Sequence, residues 1–254
     1  MIPRLRSTER ADDGQAPLIS TVDVEGHNGN YECVLALDRL LSTAEVPHTL
    51  FVTPDVVENR TELVARWVDS HHEVGLHIHP ERLSGGSDWL TDYDEKEISE
   101  MLANSCRVFE RELDMVPVIF RAGRWEYSDQ LLRALADNGF ESDASYRPDR
   151  FVNTYVRHGI REYPLTCYTN PLIKLLMTPW DNKSVALHAD LFLSNLPLSV
   201  GFCSVTARML LSDIPYLMIA YHDYDVLELA DQFEFYINSL SRVRSQKTMS
   251  EILL

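Results

Sequence analysis

Two histidines two positions apart end an apolar stretch, Glu73-Val74-Gly75-Leu76-His77-Ile78-His79-Pro80. Side chains alternate faces along a strand, so His77 and His79 point the same way. Side by side, two imidazoles can bind a divalent cation such as zinc. The alternative is a polar rim in which each ring bonds a backbone carbonyl. Pro80 ends the strand, which puts the pair at a strand-to-loop junction. A second apolar stretch, Leu18 to Glu25, ends in Asp23 and Glu25, again two apart. One carboxylate with two histidines is a common catalytic zinc set that leaves a position open for water. Either acid alone also reads as a helix N-cap or a loop salt bridge. Arg121 follows the apolar run Val116–Phe120, and His222 follows Tyr216–Tyr221. Alone, Arg121 reads equally as a surface ion pair and His222 as a buried ring on a carbonyl. Their shared placement at strand ends is the stronger signal. In parallel α/β folds, chemistry collects at the C-terminal ends of strands.

The elements that must position these residues follow from periodicity. Helical spacing of Val34, Leu37, Leu40 and Leu41 predicts a helix over 31–45. A strand follows at His48–Val52, then a helix at Thr61–Ser70 that begins as early as Asp55. Glu81–Asp92 reads as a polar loop and Asp94–Glu112 as an amphipathic helix. Ser128 caps a helix over Asp129–Asn138, which Gly139 closes. Short strands are predicted at Ser142–Tyr146, Glu162–Leu165 and Ser184–Leu187. Helices are predicted at Val205–Leu211 and Leu227–Val243. Repeated strand–helix units predict an α/β fold with a parallel sheet, possible as a barrel. The 147–201 segment is irregular.

With 254 residues and 45% hydrophobic content, the chain suits one large domain. Residues 1–16 read as a loose tail and 17–254 as the domain. The 23 basic and 39 acidic residues leave a net charge of −16, which repels phosphate backbones and anionic lipid and argues against nucleic acid as a partner. Cys33, Cys106, Cys167 and Cys203 lie far apart and read as reduced thiols. The N-terminus has no apolar h-region, and no apolar run is long enough to span a membrane. Both features predict a cytoplasmic protein. Nothing in the pattern indicates an oligomeric state.

Taken in order, the four segments resemble the metal-dependent polysaccharide deacetylases, the NodB-homology or carbohydrate esterase 4 type. Thr21-Val22-Asp23-Val24-Glu25 is similar to the D-x-D/E variant of the first motif. Gly75-Leu76-His77-Ile78-His79-Pro80 resembles a shortened second motif. Arg121-Ala122-Gly123-Arg124-Trp125 echoes the third, and Tyr221-His222-Asp223-Tyr224-Asp225 the last. The resemblance spans 18–254. It implies a single-domain irregular (β/α) barrel with seven parallel strands. It also implies metal-dependent hydrolysis of an N-acyl group, chiefly N-acetyl, on an amino sugar. The lack of a secretion signal favours a small-molecule or lipid-linked sugar intermediate over a cell wall as substrate. Glu25, His77 and His79 would hold the cation, Zn2+ by preference. Asp23 would be the general base, Arg121 its partner, and His222 the acid for the leaving amine. Three departures stand out. Glu25 occupies the position of an aspartate. Position 81 is Glu rather than His, so either His79 or Glu81 completes the metal set. Ala122-Gly123 replaces the family's prolines. Two other readings remain: a deformylase or other amide hydrolase on a non-polysaccharide substrate, and a metal-free glycan-binding pseudoenzyme. The 147–201 segment is expected to set substrate choice. Asp143 is a candidate to orient His222 or a loop. Trp125, Tyr127, Trp180 and Tyr224 are candidates for sugar stacking or core packing. His48 is expected to be structural, and His27, His71, His72, His158 and His188 to be surface or loop residues.

Overall fold

In the computed structural model of the chain, the described residues are 17–29, 31–44, 46–148, 152–169, 186–188, 215–241 and 245–252. The expected tail over 1–16, the Val205–Leu211 helix and Trp180 lie outside them. Strand β1 is Leu18–Val24, β2 Thr49–Val52, β3 Glu73–Ile78 and β4 Ile119–Ala122. Then follow β5 Ser142–Asp143, β6 Tyr155–Arg157, β7 Ile160–Glu162, β8 Cys167–Thr169 and β9 Ala186–His188. The last two are β10 Leu217–His222 and β11 Gln246–Lys247. The main sheet runs β10-β1-β2-β3-β4-β5-β7-β6, with β11 also beside β1. From β10 to β7 every pairing is parallel, which gives the seven expected parallel strands. The antiparallel β6 and the short β11 are additions. Strands β8 and β9 form a separate antiparallel pair.

The strands are apolar on both faces, as a sheet covered by helices requires. Leu18, Val22, Val24, Leu50, Val52, Leu76, Ile78, Phe120, Leu217, Ile219 and Tyr221 face the helix layer. Ile19, Phe51, Ile119, Met218 and Ala220 face the inside of the curled sheet. The two-residue period then puts Asp23, His77, Arg121 and His222 on that same inner face. Register lines them up: Asp23 pairs with His222 and with Phe51, Phe51 with Gly75, and His77 with Arg121. Gly75 is required here, because an added Cβ would lie 2.4 Å from Ile119 Cγ1. The sheet's two ends approach each other past β7. Tyr216 Oη donates to the Pro164 carbonyl at 3.3 Å, and the Met218 amide donates to Thr166 Oγ1 at 2.9 Å.

Helix α1 is Glu32–Ala44, and it packs on the last helix, α7, Asp223–Ser241. Between them lie α2 Pro54–Asn59, α3 Thr61–Val68, α4 Pro80–Ser84, α5 Glu95–Leu113 and α6 Asp129–Asp137. Helix α5 opens on a full capping box: Asp94 accepts from the Glu97 amide, and Glu97 accepts from the Asp94 amide. Ser128 caps α6 through the Leu131 amide, as its sequence predicts.

Several boundaries differ from expectation. The 55–70 helix is two helices broken at Arg60, whose φ of −138° is not helical. The expected loop over 81–92 contains α4. Strand four begins later than Val116, because Pro117 has no amide to give a ladder and Val116 and Val118 face solvent. Arg121 therefore lies within β4, fully buried, rather than just past it. Helix α7 begins at Asp223 rather than Leu227, since Asp223 and Asp225 supply an acidic first turn. The expected Glu162–Leu165 strand lies earlier, in a β6–β7 hairpin. Its two-residue turn, His158 and Gly159, has φ of 53° and 86°. Among the described residues, no helix is long and apolar enough to cross a membrane.

Candidate metal centre

Three side chains converge where β1 and β3 end. The ring of His77 is buried, and its Nδ1 lies 2.8 Å from the Arg121 carbonyl oxygen. Only an N–H can bond a carbonyl, so Nδ1 carries a proton, and in the neutral ring Nε2 keeps its lone pair. That Nε2 is 3.6 Å from Glu25 Oε1. His79 caps α4 but keeps extended backbone angles (φ −111°, ψ 109°), so its side chain follows the strand alternation. Its Nε2 is 3.1 Å from the same Glu25 oxygen. Both Nε2 atoms are buried and make no hydrogen bond. One ligand atom from each of Glu25, His77 and His79 lies within 4.8 Å of the others. Two buried, unbonded imidazole nitrogens facing one carboxylate oxygen fit a zinc-type donor set. Burial works against the Glu25 charge, but the two histidine rings beside it outweigh that and hold the carboxyl far below its usual range.

Glu81 stands behind this trio. Its Oε1 lies 3.4 Å from His79 Nδ1 and accepts from Arg124 Nη2 at 3.0 Å. A carboxylate on the far nitrogen of a ligand histidine is a common outer-shell arrangement. Geometry therefore favours His79 over Glu81 as the third donor.

Beside the trio, Asp23 Oδ1 accepts from Arg121 Nη1 at 2.7 Å. The guanidinium is fully buried between the Phe51 ring at 4.2 Å and the Trp125 ring at 4.7 Å. Its Nε donates to the Ala144 carbonyl at 3.1 Å. Burial raises the Asp23 pKa, but the Arg121 guanidinium together with His77 and His222 outweighs that and holds the carboxyl below its usual range. His222 Nε2 lies 3.8 Å from both Asp23 Oδ2 and Glu25 Oε1. Its Nδ1 is 3.3 Å from Asp225 Oδ2, and Tyr224 stacks on its ring at 4.6 Å. Burial favours the neutral ring, yet Asp225, Asp23 and Glu25 together lift it to about 9. All six candidate residues, Asp23, Glu25, His77, His79, Arg121 and His222, thus share one site.

Of the two roles expected of Asp143, the structure overturns the one on His222 and keeps the one on the loop after β5. Asp225, not Asp143, holds His222. Asp143 instead faces Glu162 on β7 and accepts from Ser145. Of the aromatic candidates, Trp125 covers Arg121 and Tyr224 covers His222, while Tyr127 accepts from the Tyr155 hydroxyl at 2.7 Å. His48 is structural, fully buried with its Nδ1 2.9 Å from the Val46 carbonyl.

Sequence reasoning missed two further groups. Arg82 Nη2 donates to Glu25 Oε2 and Nη1 to the Glu25 carbonyl, both at 2.8 Å. Asp223 Oδ2 accepts from the amides of Glu25 at 3.2 Å and Gly26 at 2.9 Å, and from the Cys33 thiol at 3.3 Å. Burial and that carboxylate push Cys33 up to about 12, so it stays a thiol. The Asp223-Tyr224-Asp225 run after His222 was the only available signal for either aspartate.

The family model described as polysaccharide deacetylase matches residues 12–142. No curated protein sequence matches the chain. Among solved structures, a candidate polysaccharide deacetylase from Mycobacterium smegmatis aligns with a TM-score of 0.67 at 16% identity, covering 95% of this chain and 90% of that one. A family 4 carbohydrate esterase from Streptomyces lividans, solved with acetate, aligns at 0.57 and 14% identity over 92% and 93%. The family 4 pseudoenzyme BA3943 from Bacillus anthracis aligns at 0.56 and 14% identity over 94% and 65%. At these identities the structural likenesses establish the fold.

Proposed function

Because this chain belongs to the polysaccharide deacetylase family, we propose that it is a metal-dependent amidase that removes an N-acetyl group from an amino sugar of a glycan. The observation that carries the reading is the pair of buried, unbonded Nε2 atoms of His77 and His79 facing Glu25 Oε1. These three residues would hold the cation. A divalent cation supplies Lewis acidity there, polarising an amide carbonyl and making water acidic enough to attack near neutral pH. Asp23 takes the proton of the attacking water. Arg121 keeps that carboxylate ionised and fixes its direction, which leaves Oδ2 facing His222. His222 Nε2 carries a proton to the leaving nitrogen, so the C–N bond breaks to release a neutral amine rather than an amide anion. Asp225 holds the other ring nitrogen and fixes the tautomer. Trp125 and Phe51 exclude water from the guanidinium and so strengthen its hold on Asp23.

A second reading, a metal-free glycan-binding domain, has one observation in its favour: Arg82 already neutralises Glu25. Metal content and acetate release separate the two. Purified protein equilibrated with zinc and desalted should retain about one ion per chain, in line with a three-residue catalytic site. It should release acetate from N-acetylated glucosamine oligomers or peptidoglycan. His77→Ala should lose both. A wild type that keeps no cation and releases no acetate would leave the binding reading standing.

A further inference from the structure

Glu25 has one more methylene than an aspartate, and so one more torsion that must be fixed before its carboxylate can serve as a ligand. The chain fixes it with one side chain. Arg82 bonds the Glu25 carboxylate and the Glu25 main-chain carbonyl at once, each at 2.8 Å, bracketing the residue at both ends. The bracket uses Oε2 and leaves Oε1 directed at His77 and His79. Arg82 comes from α4, the short helix that His79 opens, and its amide bonds the His79 carbonyl at 3.0 Å. One turn of helix thus ties the histidine that follows β3 to the carboxylate that follows β1. The same residue forms part of the wall of a cavity of about 470 Å³ shared with His79, Thr53, Tyr93 and Met101.

We propose that Arg82 is the positioning residue of the metal centre, holding Glu25 in a single rotamer that presents Oε1 to the cation. The proposal rests on the reading of Glu25, His77 and His79 as metal ligands. Two effects of the guanidinium oppose each other. Its charge repels a cation, and its bracket pre-orders the ligand. Pre-ordering is the effect we expect to dominate, because the guanidinium engages Oε2 and leaves Oε1 directed at the two histidines. Partners that orient ligating groups are typically worth about 10–100-fold in metal affinity.

The test is zinc affinity, measured by competition with a chromophoric chelator, for wild type, Arg82→Met, Arg82→Lys, Glu25→Asp and Glu25→Asp/Arg82→Met. Arg82→Met should weaken zinc binding by about 10–100-fold. Arg82→Lys should fall between, since an ammonium keeps the charge but not the two-pronged grip. In the Glu25→Asp background the same Arg82 change should cost clearly less, because the shorter arm needs no brace. Thermal unfolding in chelator reports folding of the metal-free chains separately. Zinc binding in Arg82→Met equal to or tighter than wild type would overturn the proposal. So would an equal loss in both backgrounds. Failure of wild type itself to bind zinc more tightly than His77→Ala would overturn the ligand assignment instead.

Discussion

At Gly123, two residues beyond Arg121 along the inner face, an added Cβ would lie 2.7 Å from Cε1 and Nδ1 of the His79 ring. The missing side chain is therefore the space in which that imidazole lies. Its φ is not in the left-handed region, so the backbone tolerates alanine and the clash falls on His79 alone. Gly123→Ala should weaken zinc binding by at least about tenfold, the scale on which misplaced ligands cost affinity. The metal-free protein should unfold within about 1 kcal/mol of wild type. Chelator competition beside denaturant unfolding in chelator checks both; unchanged affinity would mean His79 is not a ligand. The next two residues lie in the left-handed region. Arg124 and Trp125 have φ of 57° and 59°, unusual for bulky side chains. The turn they make sends Trp125 over Arg121 and Arg124 out to Glu81 and Asp88.

Among the elements, the join of β5 and β7 carries the least expected chemistry. Asp143 and Glu162 are register partners on neighbouring strands, both fully buried. Like charges directly opposite each other are unfavourable, and more so in the interior. Burial pushes Asp143 up to about 6, and burial together with Asp143 pushes Glu162 well above its usual range. A proton retained on the pair would supply the donor that Asp143 Oδ2 and Glu162 Oε2, both buried and unbonded, otherwise lack. The folded state therefore binds more protons than the unfolded chain once pH passes the ordinary carboxylate range. The pair's contribution is full below that range and is lost as pH rises through about 6 and beyond. Asp143→Asn keeps the acceptor for Ser145 and offers an amide N–H to Glu162 with no proton to lose. The drop in melting temperature between about pH 5 and about pH 8 should be smaller in the variant than in wild type. A steeper or equal drop would show that the two carboxyls do not share a proton.

Over the whole molecule, the inside of the curled sheet changes character along its strands. Its C-terminal end holds Asp23, His77, Arg121 and His222; the rest is packed by Ile19, Ile119, Tyr163, Leu165 and Met218. Met249 and Ile252 join that apolar cluster from the chain's last described segment. They are held by Glu73 at the start of β3, which accepts from the Met249 amide at 3.0 Å, the Ser250 amide at 3.2 Å and Thr49 Oγ1 at 2.8 Å. Residues 245–252 thus close the end of the sheet opposite the site. Met249→Ala should cost about 2–5 kcal/mol, the usual price of emptying a fully buried position. Zinc affinity of the folded protein should not change. Denaturant unfolding measures the first and chelator competition the second. A cost below about 1 kcal/mol would mean that the segment only covers the core.

The sequence by itself determined the α/β class, the parallel sheet and the polar strand ends. Each follows from local rules: a period of two on strands, near four on helices, and polar residues where an apolar run stops. Those rules suffice to put Asp23, Glu25, His77, His79, Arg121 and His222 on one face at one end. What only the tertiary structure decided is who touches whom. Strand pairing put Asp143 opposite Glu162, so Asp225 rather than Asp143 reaches His222. The strand ends at Ile78, which leaves His79 on the inner face and turns Glu81 into the helix behind it. Arg82 grips a residue 57 positions earlier in the chain, across two strands and their loops. No spacing rule spans that distance. Such contacts depend on how far the sheet curls and where each loop returns, which no single segment of sequence contains.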